Sequence, residues 1–439
     1  MRYFGFSDFV SCFRWMRGDE APVFEREFAE YIGANFVVGT SFGRTALYLG
    51  LRAIGVMGKE VILPAFTCTV VRHAIVAAGG IPRFVDIDPE SFGLKIDDLR
   101  RKMTRKTRAI ILTHYFGRCE DHLEDVIELG SQENIKIIED CAHSLGGEYK
   151  GKKLGTFGDF SIFSLTKNMI NFAGGVLATD DIDIYQRARE IMERERKLTR
   201  TRIVDFPLTV AYGLEQMIDK LVFDRVKRSV FKWWLIKTPA ALLKIRCALI
   251  TFVKFVISFT QPRREAEGKS AGLETRAPSS YGEGLHMEPL IASLARIQLK
   301  KLDSMIERRR KIGCWVLNGR DWGQAGCQNL KQNDVWTYLL AKFPGRDIFE
   351  MIRECKKKGL LLRATWPTHQ DLWEEQDTLS VRTIEKEILT WSVNPMVTIR
   401  EVEKMRRIVN DLGGIWVKPR NVQKDDVLNQ AVVPECPTP

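Results

Sequence analysis

Two side chains capable of acid–base and covalent chemistry lie in the first half of the chain. Asp140 ends the apolar run Ile137-Ile138-Glu139, and Lys167 comes shortly after Ser164. A strand-end aspartate could pair with a protonated ring nitrogen, and a lysine could form a Schiff base with an aldehyde. Each also has a simpler interpretation, since such an aspartate is often a helix N-cap or half of an ion pair, and most lysines are solvated.

A third feature could bind phosphate. Gly43-Arg44-Thr45 begins a predicted helix whose free N–H groups, with Arg44 and Ser164, could hold a phosphate group. A ring-nitrogen acid, an imine-forming lysine and a phosphate site are together what pyridoxal 5′-phosphate requires of a protein. The residues therefore suggest this cofactor, although motif spacing alone also produces chance matches.

Two common phosphate-binding motifs are absent. The segment from Gly39 to Gly43 lacks the GxGxxG spacing of dinucleotide-binding proteins. The segment 146–153 imitates a P-loop but has a lysine where a serine or threonine must bind magnesium. It is also not flanked by the strand and helix that a P-loop needs, so we reject both motifs.

Short apolar runs alternate with helix-like stretches from Phe24 to Asp180. Predicted strands lie near 36–38, 60–63, 83–86, 109–112 and 136–139, and predicted helices include 25–32, 45–51, 70–78 and 123–129. This alternation is typical of a mostly parallel sheet covered by helices on both faces. Functional groups of such sheets gather at the carboxyl ends of the strands, which is where Asp140 lies.

The rest of the chain suggests three further regions after the first domain, 1–205. Residues 206–284 form an apolar, basic insertion and a polar connector; 285–415, beginning with one long helix from 290 to 310, form a smaller α+β domain; 416–439 are expected to be a disordered tail. The net charge of +11 belongs almost entirely to the segment 197–264, which holds fourteen basic and four acidic residues.

Composition places the 439-residue chain among folded proteins of two or three domains, with 45% hydrophobic and 28% charged residues. No apolar stretch is long enough for a membrane-spanning helix, and the N-terminus does not resemble a secretory signal. The nine cysteines form no CxxC pair, so structural zinc is not expected and no metal site is predicted. We therefore expect a cytosolic protein without a disulfide framework.

Several blocks of sequence resemble the DegT/DnrJ/StrS sugar aminotransferases, a family of fold-type-I, pyridoxal-phosphate enzymes. The blocks are 24–31 (FEREFAEY), 60–67 (EVILPAFT), 80–88 (GIPRFVDID), 104–110 (TRKTRAI), 138–143 (IEDCAH) and 149–159 (YKGKKLGTFGD). The resemblance lapses across 190–280 and returns weakly at 284–287 and 391–398. It implies a large domain with a mostly parallel, seven-stranded sheet, as in aspartate aminotransferase, and a smaller C-terminal α+β domain.

The resemblance also assigns roles to individual residues. Lys167 matches the lysine that forms the Schiff base, and Asp140 matches the partner of the pyridinium nitrogen. Ser164 matches the phosphate-binding serine, and His143 stands where the family usually has glutamine near the phenolic oxygen of the cofactor. The remaining expected cofactor contacts are Gly43, Arg44, Thr45, Cys68 and His286.

Some of these positions depart from the family pattern. Cys68 stands where many members stack an aromatic ring on the cofactor, and a thiol replaces that contact only partly. The interval from Ser164 to Lys167 is two residues shorter than the commonest family loop. His286 stands where a residue of the neighbouring subunit reaches the phosphate, which implies a homodimer; the alternative is an ordinary loop histidine.

The expected activity is transfer of an amino group, from glutamate, onto a keto-sugar nucleotide used in surface-polysaccharide or amino-sugar biosynthesis. A dehydratase branch of the family has histidine in place of the lysine, so retention of Lys167 favours amino transfer. Two alternatives stay open: dehydration or epimerisation of the sugar, and a non-catalytic membrane-surface homologue.

The basic insertion has two competing interpretations. Within 206–260, aromatic residues such as Trp233 and Phe252 alternate with lysines and aliphatic residues. This pattern predicts helices lying on the anionic inner face of a membrane, where each cation contributes on the order of 1 kcal/mol. The alternative is an insertion packed against a partner subunit. Nucleic acid is not expected, because the aromatic residues are not spaced as stacking platforms.

Overall fold

The computed structural model describes residues 18–89, 91–169, 171, 173–198, 285–318, 334–364, 384, 386–393 and 397–417. The insertion and connector predicted at 206–284 and nearly all of the predicted tail lie outside the described residues. Within the described ranges, no helix is both long and apolar enough to cross a membrane.

The first part of the chain forms an α/β domain in the predicted alternating order. Its elements are α1 (Ala21–Ile32), β1 (Phe36–Thr40), α2 (Gly43–Ala53), β2 (Glu60–Pro64), α3 (Thr69–Ala77), β3 (Ile81–Val85), α4 (Ile96–Lys102), β4 (Thr107–Thr113), a 3₁₀ turn (Tyr115–Gly117), α5 (Leu123–Glu133), β5 (Lys136–Asp140), β6 (Glu148–Tyr149), β7 (Lys152–Lys153), β8 (Phe160–Ser164), α6 (Leu165–Asn168), β9 (Gly175–Thr179) and α7 (Ile182–Leu198).

Seven of these strands form one sheet in the order β1-β9-β8-β5-β4-β2-β3. Strands β3, β2, β4, β5 and β8 run parallel to one another, and β9 is antiparallel to both of the strands beside it, β8 and β1. Because β5 and β8 are adjacent and parallel, their carboxyl ends, Asp140 and Ser164, meet at one edge of the sheet. The predicted seven-stranded, mostly parallel sheet is therefore confirmed.

Alternation along the strands builds two apolar layers. On β2, Ile62 packs into the layer that contains Phe24 and Phe28 of α1, whereas Val61 and Leu63 pack on the opposite face. Helices α1, α4 and α5 cover the first face, and α2, α3 and α7 cover the second. This is the two-sided burial that continuous apolar strands require.

The C-terminal part adds α8 (Pro289–Leu299), α9 (Leu302–Asn318), β10 (Tyr338–Lys342), α10 (Ile348–Lys357), β11 (Arg363–Ala364), β12 (Ile388–Ser392), α11 (Ile399–Asp411) and β13 (Ile415–Trp416). Its strands pair antiparallel in the order β11-β12-β10-β13. Helix α11 begins with a capping box, in which Thr398 and Glu401 each satisfy the other's backbone N–H.

The predicted domain boundaries are wrong in two places. Met287 and Ile291 are buried with Phe28 in the large-domain core, whereas Ile312 of α9 is buried in the small-domain core. The division therefore falls within α9, and not at 285, because α8 is needed to cover one face of the sheet. At the other end, Trp416 is buried and belongs to β13, so the predicted tail began too early.

Two local expectations also differ from the structure. The single helix expected from 290 to 310 is divided into α8 and α9 at Lys300–Lys301, where the chain makes a tight turn. Cys68, Cys119, Cys141 and Cys355 are free thiols, as expected, but Cys314 is disulfide-bonded.

Candidate active site

Lys167 lies on the short helix α6, directly after β8, and its amine faces a histidine from the neighbouring strand's loop. The distance from Lys167 Nζ to His143 Nε2 is 3.0 Å. His143 follows β5, so the two residues meet because β5 and β8 are adjacent parallel strands. The structure thus brings together the lysine expected to form the Schiff base and the histidine expected near the phenolic oxygen of the cofactor.

The hydrogen bond at the other ring nitrogen, Nδ1, determines which nitrogen of the His143 ring carries the hydrogen. The backbone N–H of Phe116 donates to His143 Nδ1 over 3.3 Å. A neutral ring with Nδ1 as acceptor carries its hydrogen on Nε2, which is the atom that faces Lys167. Burial, together with the nearby Lys167, holds the pKa of His143 well below its usual value, so the ring is neutral.

Phe116 makes this contact from an unusual backbone conformation. Its φ is +59°, in the left-handed region that an aromatic residue rarely adopts, and its ring lies parallel to His143 with centroids 6.0 Å apart. The next residue, Gly117, has φ +93°, and a Cβ there would lie 2.8 Å from the backbone nitrogen of Trp336. Left-handed residues of this kind cluster at functional sites, where the surrounding structure holds them.

Asp140 is the second predicted catalytic residue near Lys167. Its Oδ1 accepts the backbone N–H of Ala142 at 3.0 Å, and no donor among the described residues binds its Oδ2. Burial raises the pKa of Asp140, against the lowering effects of Lys167, the Ala142 N–H and His114. A buried carboxylate with a free oxygen needs a cationic partner, and a pyridinium N–H fits that requirement.

At the predicted phosphate-binding site, the backbone of Gly43 packs closely against the end of β8. Helix α2 begins at Gly43 without a capping side chain. A Cβ on Gly43 would lie 3.0 Å from the carbonyl oxygen of Phe163 and 3.4 Å from Ser164 Cβ. The start of α2 therefore lies against Ser164, whose hydroxyl is 3.2 Å from that of Thr166. Helix N–H groups and hydroxyls side by side are suited to a phosphate group.

Two residues that were predicted to contact the phosphate, Arg44 and Thr45, have partners within the protein. The guanidinium of Arg44 lies over the ring of Phe42, 4.7 Å from its centroid, and the side chain is exposed. The hydroxyl of Thr45 is 3.1 Å from that of Ser41. Their roles at the phosphate stay predictions.

Cys68 and His286 lie at the edges of this region. Cys68 is half-buried, immediately before α3, and is close enough to Tyr338 to influence the charge of its phenol. The backbone of His286 pairs with Thr40 at the end of β1, and its Nε2 is 3.6 Å from Glu193 of the same subunit. A contact from His286 to a second subunit stays a prediction.

A buried group of His114, Glu139 and Cys141 has the composition of a metal site but not the free ligands. Both oxygens of Glu139 accept hydrogen bonds, from the backbone N–H groups of residues 155, 157 and 158 at 2.7–2.8 Å, and His114 Nε2 is 2.9 Å away. Although burial acts in the opposite direction, these partners hold the pKa of Glu139 below its usual value. Glu139 therefore anchors the loop before β8.

The sequence prediction missed two residues that fix the position of Lys167. Asn168 is fully buried, and its Nδ2 donates to the carbonyls of Ala142 and Ser164, at 2.8 and 3.2 Å. Thr337 of the small domain donates to the carbonyl of His143 at 2.5 Å and lies 3.1 Å from Asn168 Oδ1. The position next to Lys167 could have indicated Asn168, whereas no sequence signal marked Thr337.

Two further small-domain contacts were also missed. The ring of Tyr338 is 4.8 Å from that of His143 between centroids. Arg309 of α9 is buried and donates to the carbonyls of Asn168 and Val393, at 2.9 and 3.1 Å. Arg309 lies at the end of the helix expected from 290 to 310, and no sequence signal marked it.

Comparison with known proteins supports the same family. Residues 8–204 match the model of the DegT/DnrJ/EryC1/StrS aminotransferase family. The dTDP-3-amino-3,6-dideoxy-alpha-D-galactopyranose transaminase of Aneurinibacillus thermoaerophilus is 35% identical over 409 residues, covering 91% of this chain and 92% of that protein. The GDP-perosamine synthase of Escherichia coli O157:H7 is 39% identical over 174 residues. That match covers 39% of this chain and 48% of the synthase, so the chain spans about half the length of the curated relatives it matches first.

Similarity to solved structures concerns the fold. The aminotransferase TlmJ from Streptoalloteichus hindustanus superposes with a TM-score of 0.64 at 19% identity, covering 93% of this chain and 96% of TlmJ. The expected fold-type-I α/β architecture is thereby confirmed.

Proposed function

The chain belongs to the DegT/DnrJ/EryC1/StrS aminotransferase family, and from that premise we propose that it is a pyridoxal-phosphate-dependent aminotransferase. Its proposed substrates are a keto-sugar nucleotide as acceptor and glutamate as amino donor. The names of the two relatives, a GDP-perosamine synthase and a dTDP-amino-sugar transaminase, support a nucleotide-linked sugar as the acceptor.

The observation that carries the proposal is the position of Lys167 Nζ, 3.0 Å from the neutral His143, at the sheet edge where Asp140 and Ser164 also lie. A lysine at this edge of the sheet, beside a buried histidine, is placed to form a Schiff base with an aldehyde. The free Asp140 Oδ2 and the glycine-lined start of α2 supply the two remaining contacts that the cofactor needs.

When bound, pyridoxal phosphate supplies an electron sink for the charge that develops on the reacting carbon. Asp140 would keep the pyridine nitrogen protonated, since a carboxylate buried beside that nitrogen favours its charged form. Ser164 and the first N–H groups of α2 would hold the phosphate. Each of these residues binds or orients the cofactor, and none of them needs to move during the reaction.

Lys167 would have the one mobile role, because it binds the cofactor aldehyde and afterwards moves a proton to and from the donor carbon. His143 would help by donating from Nε2 and could not remove that proton itself, since Phe116 occupies Nδ1. The glutamine usual at this position can also donate, so the substitution preserves the donor while making the site sensitive to histidine protonation.

A spectrum of the purified protein tests the proposal. With added pyridoxal phosphate the wild type should turn yellow, and glutamate should bleach that colour as the amino group is transferred. Lys167→Ala should stay colourless, whereas Lys106→Ala, which changes an exposed lysine, should behave as the wild type. A colourless wild type that takes up no cofactor would contradict the proposed function.

Bleaching by glutamate also separates amino transfer from dehydration or epimerisation. Amino transfer requires the donor to react with the cofactor before any sugar is present, whereas the other two reactions do not. Retention of Lys167 supports amino transfer. A yellow protein that ignores every amino acid tested but consumes the keto sugar would instead indicate a dehydratase.

We further propose that the enzyme is a homodimer in which His286 reaches the phosphate of the partner's cofactor. Support comes from its location beside the end of β1, close to the start of α2. Light scattering would measure the assembly. His286→Ala should weaken cofactor binding without changing the molecular mass, and unchanged cofactor affinity would show that His286 is a structural loop residue.

The segment 206–260, with its interleaved basic and aromatic residues, is proposed to hold this cytosolic enzyme at an anionic membrane surface. Such a location would suit an enzyme that prepares sugars for surface glycans. Sedimentation with vesicles rich in anionic lipid at low salt should pull down the full chain and not a 206–260 deletion. Equal sedimentation of both proteins would favour the alternative, an insertion packed against the partner subunit.

A further inference from the structure

Residues 335–337, here called the junction segment, lead into β10 and bond to the large domain through the main chain. The N–H of Val335 donates to the carbonyl of Gly117 at 2.7 Å. The N–H of Thr337 donates to the carbonyl of Phe116 at 3.1 Å. These two bonds join the small domain to the 3₁₀ turn whose N–H also reaches the site histidine.

The backbone is left-handed on both sides of this junction. Phe116 has a φ of +59° and Trp336 a φ of +55°, a region that aromatic residues rarely adopt. Trp336 is buried in the small-domain core, and Phe116 is buried in a cluster with Phe92 of the large domain and Leu340 of the small domain. Because such conformations persist only where the surrounding structure holds them, the conformation of Phe116 depends on the docked small domain.

His143 is held from the junction at two points. The N–H of Phe116 donates to His143 Nδ1 at 3.3 Å, and the hydroxyl of Thr337 donates to the His143 carbonyl at 2.5 Å. Thr337 is fixed in turn by the small-domain sheet, because its carbonyl accepts the N–H of Val393 at 3.0 Å. Both the ring and the backbone of His143 are therefore bonded to groups that the small domain positions.

These bonds continue to the reacting lysine on both of its sides. His143 Nε2 is 3.0 Å from Lys167 Nζ. The next residue, Asn168, has its Oδ1 3.1 Å from the Thr337 hydroxyl, and its carbonyl accepts from Arg309 of α9 at 2.9 Å. The side chain that faces the lysine and the residue that follows it thus share one partner, Thr337.

We propose that the junction segment positions Lys167, with Thr337 as the positioning residue: it fixes His143 against the lysine amine only while the small domain is docked. The part of this inference that concerns Lys167 rests on the proposed function. Coupling of this kind is reciprocal, so a ligand that steadies His143 also stabilises the docked small domain.

Two substitutions break the junction in different ways. Gly117→Ala places a methyl carbon 2.8 Å from the Trp336 nitrogen and 3.0 Å from the Thr337 nitrogen, which forces the segment away from the turn. Gly33→Ala is its matched control, because Gly33 also has a positive φ, +79°, but its new methyl group meets no heavy atom of the described chain within 4 Å. Thr337→Val removes the hydroxyl, and Thr337→Ser restores it.

Acylation by diethyl pyrocarbonate, located by mass spectrometry, measures how firmly His143 is held in the full chain without added cofactor. The reagent needs an available lone pair on a ring nitrogen, and both nitrogens of His143 are engaged. His114 is the internal control, because it is also buried and its nitrogens face the N–H of Glu120 at 3.1 Å and Glu139 at 2.9 Å. Neither partner of His114 belongs to the junction segment.

Gly117→Ala and Thr337→Val should each raise the acylation rate of His143 about fivefold, the ratio expected on loss of one hydrogen bond between uncharged groups. His114 should keep its wild-type rate in both variants, and Gly33→Ala and Thr337→Ser should behave as the wild type. A general loosening of the fold would raise both histidines together and would overturn the proposal. An unchanged His143 in both variants, or a Gly33→Ala that acts like Gly117→Ala, would overturn it as well.

The effect on Lys167 has its own measurement. After pyridoxal phosphate is added, stopped-flow absorbance should show yellow colour forming about fivefold more slowly in Thr337→Val than in the wild type, with the rate restored in Thr337→Ser. An unchanged rate beside a more reactive His143 would overturn the positioning of Lys167. A wild type that never turns yellow would contradict the proposed function, whereas the acylation of His143 would still decide whether the junction holds the histidine.

Discussion

Replacing His143 by glutamine should make the stability of this protein less sensitive to acid. His143 is buried and neutral because a proton on Nδ1 would displace the hydrogen bond from Phe116, and the resulting cation would face Lys167. In the unfolded chain the same imidazole is solvated and takes up a proton near its ordinary pKa. The unfolded state therefore binds more protons than the folded state as the pH falls, so acid destabilises the fold through this residue.

The size of the effect follows from that proton count. With a folded pKa well below the unfolded value of about 6.5, stability falls by about 1.4 kcal/mol for each pH unit once the pH is below that value. Between pH 8 and pH 5, His143 should therefore cost the wild type about 2 kcal/mol. Glu120 has the opposite sign, because burial raises its pKa to about 8, but it is present in both proteins and cancels in their difference.

Urea unfolding of the wild type and His143→Gln at pH 8, 7, 6 and 5 measures this difference at constant ionic strength. Glutamine can accept from Phe116 with Oε1 and donate to Lys167 with Nε2, so the variant should be close to the wild type at pH 8. At pH 5 the free energy of unfolding of the variant should exceed that of the wild type by about 2 kcal/mol. His143→Leu should show the same loss of pH dependence from a lower starting stability, since the buried Phe116 N–H would have no acceptor.

Parallel stability curves for the wild type and the glutamine variant between pH 8 and pH 5 would refute this reasoning. Such curves would mean that His143 takes up the same number of protons in both states and that its ring is charged in the fold. The Phe116 N–H could then not donate to Nδ1.

Three substitutions test the surrounding framework. Gly43→Ala places a methyl group 3.0 Å from the Phe163 carbonyl, and should weaken pyridoxal-phosphate binding, measured by absorbance titration, by about tenfold; unchanged affinity would mean the start of α2 is not the phosphate site. Asn168→Ala leaves two buried carbonyls without their donor and should cost about 3 kcal/mol in urea unfolding, against less than about 0.5 kcal/mol for the exposed Gln132→Ala. Glu139→Gln replaces one acceptor oxygen by a donor that faces backbone N–H groups, so the free energy of unfolding in urea at pH 7 should fall by more than about 1 kcal/mol. A smaller loss would show that these hydrogen bonds are weak.

The sequence by itself determined the sheet and the polar residues at its carboxyl edge. Apolar runs with the length of strands, separated by amphipathic helices, have few ways to bury both faces other than in a parallel sheet. Once β5 and β8 are neighbours, Asp140 and the residues after Ser164 must meet at one edge. The order and type of the elements as far as β5 were therefore predictable, whereas β8 (Phe160–Ser164), the strand before Lys167, was not among the predicted strands.

Domain boundaries were not predictable in the same way. Helix α9 contributes Met305 to the large-domain core and Ile312 to the small-domain core. Periodicity tells which face of a helix is buried but not which layer buries it. That choice depends on contacts with segments far away in the sequence.

Only the tertiary structure decided how the site works. The protonation of His143 depends on the N–H of Phe116, which is directed at the ring by a left-handed backbone that the residue type does not predict. Tyr338 and Arg309 reach the same site from the other domain, across a long interval of sequence. Sequence patterns record local preferences, whereas hydrogen-bond direction and charge proximity arise from the packing of distant segments, and these determine what the lysine and its neighbours can do.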